Sequence, residues 1–560
     1  MRSLLKAALS LGLLTLVACT AIVTSDDPVQ CNNDGDCTKR GPDFVDSMCS
    51  NGLCVAKPPT VSTTDSGASS SGVIKPNAEC TKNADCASKG DKFVCSSNIG
   101  KCAPTESEDC KVVYGDPTVE GTILYGLMSE IATTDTQYFR QVQHRIGAKL
   151  AFEEFFDTAG VKFPGERRGA LIACDEHFPR RASALLANAG VKAVLGPAAE
   201  DRQRPVVETL LPARIPSFSP WINGNPASVV EGSNGFAWLA GFERRDVLPP
   251  LNALVAEKEK ALRDGGKTQI RVAVVLSVQS PDVPPGFNAY TDYGLILDQL
   301  LEFNGKTAIQ NTNDSSCKGN ACYKVFQTNQ AELTAVAQRA KEIVAFEPDL
   351  IIPFSDIDWG AQLLPALETE YGTLPANTRP TYVHPFLQIE DSGYKSLDLS
   401  DASLRARISG IRAIRDNSFE LFSQKFKAAL TTPASVGTDP NPGAGRAFET
   451  SLLLLLASYA GFQAHADATP EQIVAALPKV TDTTGPRITL TQLVEGVSAL
   501  NQNKPINFDG LFSFFEFDQT SHTAPATWTT WCATATRQYD SSANRVFKDG
   551  KFSGTSGPCP

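Results

Sequence analysis

Residues 169–197 read GALIACDEHFPRRASALLANAGVKAVLGP, and this stretch decides the fold. Two apolar runs, 170–174 and 191–195, have the length of buried strands, and residues 181–189 between them show helical spacing. Gly196-Pro197 then interrupts the chain before the next helical stretch. Because strand–helix–strand units of this length build parallel sheets, the stretch predicts an α/β fold.

The same alternation continues on both sides of this stretch. Further strands are predicted at 121–128, 215–218, 271–276 and 349–354. Further helices are predicted at 138–158, 201–211, 289–304, 332–345, 359–371 and 447–464. The rhythm stops after the fourth strand and restarts near Arg271, so two α/β lobes are expected, and about 450 residues suffice for both.

The order of these landmarks resembles that of type I periplasmic binding proteins, the leucine/isoleucine/valine-binding group. The segments that carry the resemblance are Cys174-Asp175, Gly196-Pro197, Ile215-Pro-Ser-Phe-Ser-Pro220 with Asn225-Pro226, Arg271–Leu276, Asn304-Gly305, Glu347-Pro-Asp349 and Asn507-Phe-Asp-Gly510. The resemblance spans residues 112–535. It implies two Rossmann-like lobes with parallel sheets, joined by a hinge and closing around a ligand. Lobe 1 is expected at 110–245 and 385–480, and lobe 2 at 246–384 and 481–560.

The resemblance also implies where a ligand would bind. The position at which family members hold the ligand's carboxylate with a hydroxyl falls within 198–201, where Glu200 and Asp201 stand, and the cleft tyrosine falls on Tyr290. The acidic residue that pairs with an ammonium falls on Gln330. In the loop after Pro220, Trp221 could stack on a ligand and Asn223 could hydrogen-bond it. Glu200 as a helix cap, and Trp221 as a core residue, are the alternatives.

The charges at these positions argue against a free α-amino acid as the ligand. Glu200 would repel a carboxylate, and neutral Gln330 cannot compensate an ammonium. Because an unpaired buried ion costs several kcal/mol, the ligand is expected to be neutral or cationic.

The N-terminus predicts export and lipidation. Arg2 and Lys6 precede an apolar run, 7–18, which is too short to cross a bilayer and matches a secretory signal peptide of residues 1–18. Leu16-Val-Ala-Cys19 resembles the lipobox of bacterial lipoproteins, which implies that Cys19 is acylated. Thr20 follows the cysteine and favours the outer over the inner membrane, either periplasm-facing or at the cell surface.

Two cysteine-rich modules follow the signal peptide, at 19–56 and 78–105, separated by a Ser/Pro/Gly-rich linker at 57–77. Their cysteines repeat with the same first spacing: Cys31, Cys37, Cys49 and Cys54, then Cys80, Cys86, Cys95 and Cys102. Such small segments need disulfides, so two are expected in each module with the connectivity open. Zinc is disfavoured because neither module has a Cys-x-x-Cys pair or a histidine. Together these modules and the linker are expected to form a stalk.

The remaining cysteines predict three more disulfides. The chain has 15 cysteines, and 14 remain once Cys19 is acylated, an even number typical of an oxidising compartment. The expected pairs are Cys317–Cys322, which closes a short loop, Cys110–Cys174 and Cys532–Cys559.

Composition and motifs exclude several function classes. A net charge of −11 disfavours nucleic acid as a partner, and five histidines disfavour a histidine-built metal site. No catalytic motif or cofactor loop is present, so neither an enzyme nor a cofactor is expected. Asp175-Glu-His177 is predicted to be a solvated loop, with cleft residues as the alternative. The apolar run 451–457 is predicted to be a core helix.

Two functional hypotheses remain. The first is a lipid-anchored solute-binding protein that delivers a small molecule to the permease of an ABC-type transporter or acts as a sensor. The second is an envelope interaction lipoprotein with a degenerate cleft, such as a regulator of cell-wall synthesis. An open polar and aromatic cleft would favour the first hypothesis, and a cleft filled by side chains the second.

Overall fold

The structure is a computed structural model of the 560-residue chain. It describes residues 35, 47–50, 53–56, 78–96, 98–129, 131, 139–197, 200–220, 227–230, 232–241, 244–278, 289–329, 333–354, 357–372, 374–375, 378–385, 399–413, 418–430, 440, 442–512, 515–518, 521–524, 526–535 and 539–554. The chain divides into two compact units, Met1–Val73 and Ile74–Pro560.

In the first unit, the structure describes one hairpin of the first cysteine-rich module. Strands β1 (Ser47–Ser50) and β2 (Leu53–Ala56) are antiparallel, with Cys49 opposite Cys54. The predicted disulfides of this module, Cys19 and the linker lie outside the described residues.

The second cysteine-rich module is a short 3-10 helix, Asn83–Lys89, followed by the hairpin β3 (Phe93–Ser96) and β4 (Lys101–Pro104). The predicted pair of disulfides is confirmed, with the connectivity Cys80–Cys95 and Cys86–Cys102. Among the described residues, three of these cysteines form the group whose ligand atoms are close enough to hold a metal. Their sulfurs are already bonded in disulfides, so no thiolate is available there.

The sequence predicts that this module belongs to a stalk. The structure instead packs it against the first lobe. Val94 is fully buried in one hydrophobic cluster with Leu124, Leu186 and Ala189 of the first lobe. The Asn83 side-chain amide donates to the carbonyl oxygens of Pro117 (3.3 Å) and Thr118 (3.2 Å). The module is therefore an integral part of the first lobe.

The first lobe contains a six-stranded sheet in the order β10-β9-β8-β6-β7-β5. Its strands are β5 (Cys110–Tyr114), β6 (Ile123–Ser129), β7 (Gly169–Asp175), β8 (Val194–Leu195), β9 (Ser217–Ser219) and β10 (Ala237–Leu239). All neighbours are parallel except β5, which runs antiparallel to β7 and is joined to it by the predicted disulfide Cys110–Cys174. The parallel strands thus have the order 2-1-3-4-5 of doubly wound folds.

Helices cover both faces of this sheet. In the described residues they are α1 (Phe139–Glu153, extended by a π-helical turn Glu154–Thr158), α2 (Pro179–Ala189), α3 (Glu200–Leu210) and α4 (Ala227–Val230). The apolar strands are buried on both sides, and β6 and β7 have no exposed residue. This burial explains the continuous apolar runs in the sequence.

The second lobe contains an eight-stranded sheet in the order β14-β11-β15-β16-β17-β20-β21-β22. Its parallel strands are β11 (Val272–Val278), β14 (Tyr323–Asn329), β15 (Leu350–Phe354), β16 (Thr381–His384) and β17 (Ile408–Ala413). They repeat the order 2-1-3-4-5. Three antiparallel strands, β20 (Trp528–Ala533), β21 (Tyr539–Lys548) and β22 (Lys551–Ser553), extend the sheet.

The helices of the second lobe are α5 (Leu248–Asp264), α6 (Ala289–Leu300), α7 (Ala308–Asn311), α8 (Val336–Phe346), α9 (Ile357–Tyr371) and α10 (Ala402–Arg407). The helix predicted at 289–304 ends at Leu300, because the chain turns into the hairpin β12 (Glu302–Phe303) and β13 (Lys306–Thr307). The predicted disulfide Cys317–Cys322 is confirmed. Cys532 is also disulfide-bonded, and its predicted partner Cys559 lies outside the described residues.

The chain then returns to the first lobe before it enters β20. The returning elements are α11 (Ser418–Ala429), α12 (Pro442–Ala464), α13 (Pro470–Ala475), α14 (Leu477–Val480), α15 (Leu493–Asn501) and the strand pair β18 (Arg487–Ile488) and β19 (Asn507–Phe508). The run 451–457 lies within α12 and is entirely buried, which confirms a core helix. Among the described residues, no helix combines the length and apolarity needed to cross a membrane.

These connections correct the predicted lobe boundaries. Strand β17, expected in lobe 1, pairs with β16 and β20 in the second sheet. Helix α15, expected in lobe 2, packs through Leu493 and Leu500 into the core of the first lobe. The physical reason is burial: each apolar face joins the core that it can fill. Apart from the boundaries of the two lobes, the predicted fold class is confirmed, because each lobe contains a mainly parallel sheet with the strand order of doubly wound folds.

Candidate functional site

The carboxyl edge of the first sheet carries a layer of buried polar side chains. Strand β6 ends at Ser129 and β7 at Asp175, whereas β8 is followed by Gly196-Pro197 and β9 ends at Ser219. Ser129 and Ser219 are each 1% exposed. Doubly wound sheets bind ligands at this edge, where strand order reverses between the first and third strands, here β6 and β8.

The Asp175-Glu-His177 cluster lies in this layer and is not a solvated loop, which corrects the sequence prediction. Glu176 has no exposed surface, and its backbone N–H donates to the Ser129 carbonyl oxygen at 3.1 Å. Its carboxylate accepts a hydrogen bond from the guanidinium of Arg202 at 3.0 Å. The Asp175 carboxylate contacts the backbone nitrogen of His177 (3.0 Å) and its ring Nδ1 (2.9 Å). A charge can be buried here because it is paired.

Arg202 reaches Glu176 because it lies in the first turn of α3, the helix that begins at this edge. The next residue, Gln203, donates from its side chain to the Ser219 Oγ at 2.9 Å, and Ser219 Oγ donates to the Pro197 carbonyl oxygen at 2.8 Å. These bonds fix the corner that follows β8. Gly196 adopts a φ of 88°, and a Cβ there would lie 2.6 Å from the Met128 carbonyl oxygen, so the corner requires glycine.

The predicted ligand-contacting residues fall largely outside the described residues. Trp221, Asn223 and Gln330 lie outside them altogether. Glu200 is the first residue of α3 and Tyr290 the second residue of α6, but the side chains of both lie outside the described residues. The backbone of α3 therefore starts at the carboxyl edge, as a site at Glu200 requires.

At the carboxyl edge of the second sheet, β16 ends in a buried histidine. His384 is 3% exposed, and the centre of its ring lies 5.7 Å from that of Trp531 in β20. Gly410 of β17 allows this packing, because a Cβ there would lie 2.5 Å from the Trp531 indole nitrogen.

The order of the described elements shows that the chain passes between the two lobes three times, and each passage begins or ends at carboxyl edges. The first follows β10 and leads to α5, and the second follows β17 and leads to α11. In the third, Ala524 hydrogen-bonds Leu239 at the end of β10, and Trp528 pairs with Ala413 at the end of β17. Ala524 and Trp528 are four residues apart in the chain, so their Cα atoms can be at most about 14 Å apart. The carboxyl edges of the two sheets are therefore close to each other at these crossovers.

Sequence reasoning missed Arg202, Gln203, Ser219 and His384. Arg202 and Gln203 follow the Gly-Pro corner closely, where the resemblance had drawn attention to Glu200 instead. Ser219 and His384 each end a parallel strand, a position that could have been found from the β–α rhythm alone. A single polar residue after an apolar run was the available signal.

No protein-family model matches the chain, and no curated protein matches it significantly. Solved structures do. The isoleucine-bound branched-chain amino acid transporter substrate-binding protein of Streptococcus pneumoniae is 13% identical, with a TM-score of 0.48 over 78% of this chain and 100% of that chain. A leucine-binding protein of Thermotoga maritima is 13% identical, with a TM-score of 0.46 over 76% of this chain and 99% of that chain.

A third neighbour is a solute-binding protein of an ABC transporter from R. palustris in complex with 4-hydroxybenzoate. It is 12% identical, with a TM-score of 0.45 over 78% of this chain and 95% of that chain. Similarity at this level does not identify a ligand for this chain.

Proposed function

We propose that this chain is a solute-binding protein that captures a small molecule between its two lobes. The observation that carries the proposal is the arrangement of the crossovers, which bring together the carboxyl edges of two doubly wound sheets. Ligand contacts supplied by both edges exist only when the lobes are closed, so binding would shift a hinge equilibrium towards closure. The role is binding and release, with no catalytic step.

The ligand is proposed to be neutral or cationic, held by Trp221, Asn223, Tyr290, Gln330 and Glu200. The described charges at the first carboxyl edge support this class. Two carboxylates, Asp175 and Glu176, lie there, and the guanidinium of Arg202 is already bonded to Glu176. An anionic ligand would have to approach these carboxylates, at a cost that grows as water is excluded.

The protein is further proposed to be anchored to the cell envelope by a lipid on Cys19, with residues 1–18 removed. The protein would deliver its ligand to a transporter permease or act in a sensor pathway, and it would be located at the outer membrane.

Intact-mass measurement of protein purified from its source tests the lipid anchor. The expected mass lacks residues 1–18 and includes acyl chains, and a mass with Met1 retained would contradict it.

Native mass spectrometry and X-ray scattering together test the binding function. Protein purified gently from its source is expected to carry a small molecule that departs on partial unfolding. Adding this molecule back to the stripped protein should lower the radius of gyration as the lobes close. Calorimetry against the twenty amino acids should detect no micromolar binding.

Two variants assign the contacts. Trp221→Ala and Tyr290→Ala should each weaken binding of the recovered ligand about tenfold or more, since base stacking on an aromatic ring contributes on the order of 1–3 kcal/mol in nucleic-acid sites. If no molecule travels with the protein and the radius of gyration never changes, the solute-binding proposal fails. The alternative, an interaction lipoprotein with a degenerate cleft, would then be favoured.

A further inference from the structure

A cavity of about 270 Å³ lies between the second cysteine-rich module and the base of the first lobe. The module contributes Lys82, Asn83 and Val94 to its wall, and the lobe contributes Arg167, Lys192 and Phe462. At about 30 Å³ for each water molecule in the liquid, this space could hold several waters or a small organic molecule. The base of the lobe is the amino edge of its sheet, opposite the edge at which the solute is proposed to bind.

The walls of the cavity are held in place by polar contacts between the module and the lobe. The Asn83 side chain accepts a hydrogen bond from the Cys95 backbone nitrogen at 2.9 Å, while its amide group donates to Pro117 and Thr118 carbonyl oxygens. The Asn83 backbone nitrogen donates to the Glu120 carboxylate at 3.0 Å. The space is therefore built by folding and is not a gap between loosely apposed parts.

Positive charge in the cavity is only partly compensated. The lining includes the cations Lys82, Arg167 and Lys192, against the carboxylates Glu120 and Asp467. Glu120 is engaged by Asn83, and Asp467 is 95% exposed and lies 3.3 Å from Arg167. The cavity thus carries an excess positive charge in a chain whose net charge is −11.

Lys192 is a cation of the cavity wall whose ammonium has no partner among the residues that the structure describes. Its backbone nitrogen donates to the Leu124 carbonyl oxygen at 2.8 Å, which fixes the residue just before β8. Its ammonium makes no hydrogen bond or ion pair with any described residue, although the residue is partly buried. Burial lowers the pKa of Lys192, and the distant Asp467 opposes this only in part. A desolvated ammonium without a partner is costly unless something else neutralises it.

Arg167 and Phe462 provide a second part of the site. The Arg167 guanidinium lies 4.7 Å from the centre of the Phe462 ring and donates to the Pro164 carbonyl oxygen at 2.8 Å. Val94, Ile123 and Ala189 add apolar surface to the same cavity. The cavity therefore combines the Lys192 ammonium, which no described residue pairs, with an aromatic and aliphatic wall, and this combination suits an anion that carries an apolar body.

We propose that this cavity binds a small organic oxyanion, whose charged group pairs with the Lys192 ammonium and whose apolar body lies against Phe462 and Val94. The site is separate from the interlobe cleft, and it joins the module to the lobe. A bound anion would stabilise this junction by adding contacts to both walls.

Calorimetry on the purified full chain tests the site, with benzoate as the organic probe and inorganic phosphate as the inorganic one. Benzoate should bind, and more tightly than phosphate. Lys192→Met should weaken benzoate binding about tenfold or more, while the melting temperature of the unliganded protein should be unchanged or higher. A purely structural lysine would instead lower the melting temperature when replaced.

Lys101→Met is the matched control, because Lys101 is exposed in β4 of the same module and its replacement changes the net charge equally. Its benzoate affinity should remain within about twofold of the parent protein. No heat with either probe, equal affinity in Lys192→Met, or binding of phosphate without benzoate would each overturn the proposal.

Discussion

Glu176 shows how a single residue can determine the carboxyl edge of a lobe. Its side chain has no exposed surface, so the cost of desolvating its carboxylate must be met locally. Arg202, in the first turn of α3, offsets this desolvation cost by donating a hydrogen bond to the Glu176 carboxylate. The pairing holds the start of α3 against the end of β7. The same contact sets the charge that an incoming ligand would encounter.

Arg202→Met should destabilise the protein by about 2–4 kcal/mol, because it leaves the buried Glu176 carboxylate without its guanidinium. Urea unfolding measures the change. Arg204→Met is the control on the same helix, since Arg204 is 73% exposed and pairs at the surface with Glu208. Its cost should stay within about 1 kcal/mol, and equal costs for the two variants would contradict the assigned role.

His144 of α1 predicts a pH dependence of stability. Its Nδ1 is buried and has no hydrogen-bond partner, and burial lowers the pKa of His144 to about 4. The unfolded chain, with a pKa of about 6.5, takes up the proton first. The stability that neutral His144 contributes to the folded state is therefore fully present above pH 6.5 and is lost as the pH falls towards 4. Because the His144 side chain keeps some exposure to solvent, we expect the loss in the free energy of unfolding to be about 1–3 kcal/mol.

Denaturant unfolding of the parent protein and His144→Gln between pH 7 and pH 4.5 isolates this effect. The variant should lose less stability on acidification. Burial also raises the pKa of Glu449, although the charge of Arg446 opposes this shift. The shift changes the pH dependence of stability in the direction opposite to that of His144, and it does so equally in the parent protein and in the variant. His465→Gln, at an exposed position, should behave like the parent protein. Parallel pH curves for parent and His144→Gln would refute the prediction.

At the scale of elements, the docking of the second cysteine-rich module depends on apolar burial as well as on its disulfides. Val94 in β3 is 1% exposed and packs with residues of β6 and α2. The disulfides close the module on itself, whereas this residue attaches it to the lobe. A module that served as a free stalk would have no need of such a contact.

Val94→Ala should lower the stability of the first lobe by roughly 1–3 kcal/mol, through lost transfer free energy and the cavity that remains. The measurement is the melting temperature and the urea midpoint of the full chain. Lys101→Ala, at an exposed position of the neighbouring strand, should change stability by less than about 0.5 kcal/mol. An equally small effect of Val94→Ala would show that the module is not part of the lobe.

The contact between α1 and α12 depends on a close approach of their backbones. A Cβ at Gly147 would lie 2.1 Å from the carbonyl oxygen of Ala444, so α1 cannot accept a side chain at this position. This approach ties the N-terminal part of the first lobe to the segment that returns to it nearly 300 residues later.

Gly147→Ala should cost about 3 kcal/mol or more, because both helices would have to separate. Gly294→Ala in α6 is the control: its added methyl would meet the flexible end of Leu276 instead of backbone. That variant should cost much less. Circular dichroism during thermal unfolding distinguishes the two, and similar melting temperatures would contradict the argument.

At the scale of the whole molecule, none of the disulfides described with both partners joins one lobe to the other. Those described with both partners lie within the second module, within the first lobe or within the second lobe. The lobes are connected instead by the crossovers at the ends of β10 and β17 and before β20. This arrangement is what a hinge requires.

We expect seven disulfides and no free thiol in the mature protein, because the Cys19 sulfur is expected to carry the lipid and the other 14 cysteines to be paired. Thiol titration of the denatured, unreduced chain tests this count, and reduction should release 14 thiols. Two or more free thiols before reduction would contradict it. Reduction should also lower stability, since each closed loop contributes about 2–4 kcal/mol.

The sequence by itself determined the fold class and most of the elements. The apolar run 170–174 predicts a buried strand because burial on both faces selects continuous apolar residues, whereas of the predicted strand 191–195 only Val194–Leu195 is formed. The strand 169–175 and the helix 179–189 agree with these predictions to within two residues. The disulfides Cys110–Cys174 and Cys317–Cys322 also followed from the cysteine count and positions.

Only the tertiary structure decided which lobe each late element joins, where the second module lies, and which side chains form the polar layer at the carboxyl edge. The placement of β17 and α15 depends on which core they complete, and Val94 reads as an ordinary strand residue until its neighbours are known. The pairing of Glu176 with Arg202 joins residues on different elements. Local patterns specify local structure, whereas contacts between distant segments arise from burial and charge compensation in three dimensions.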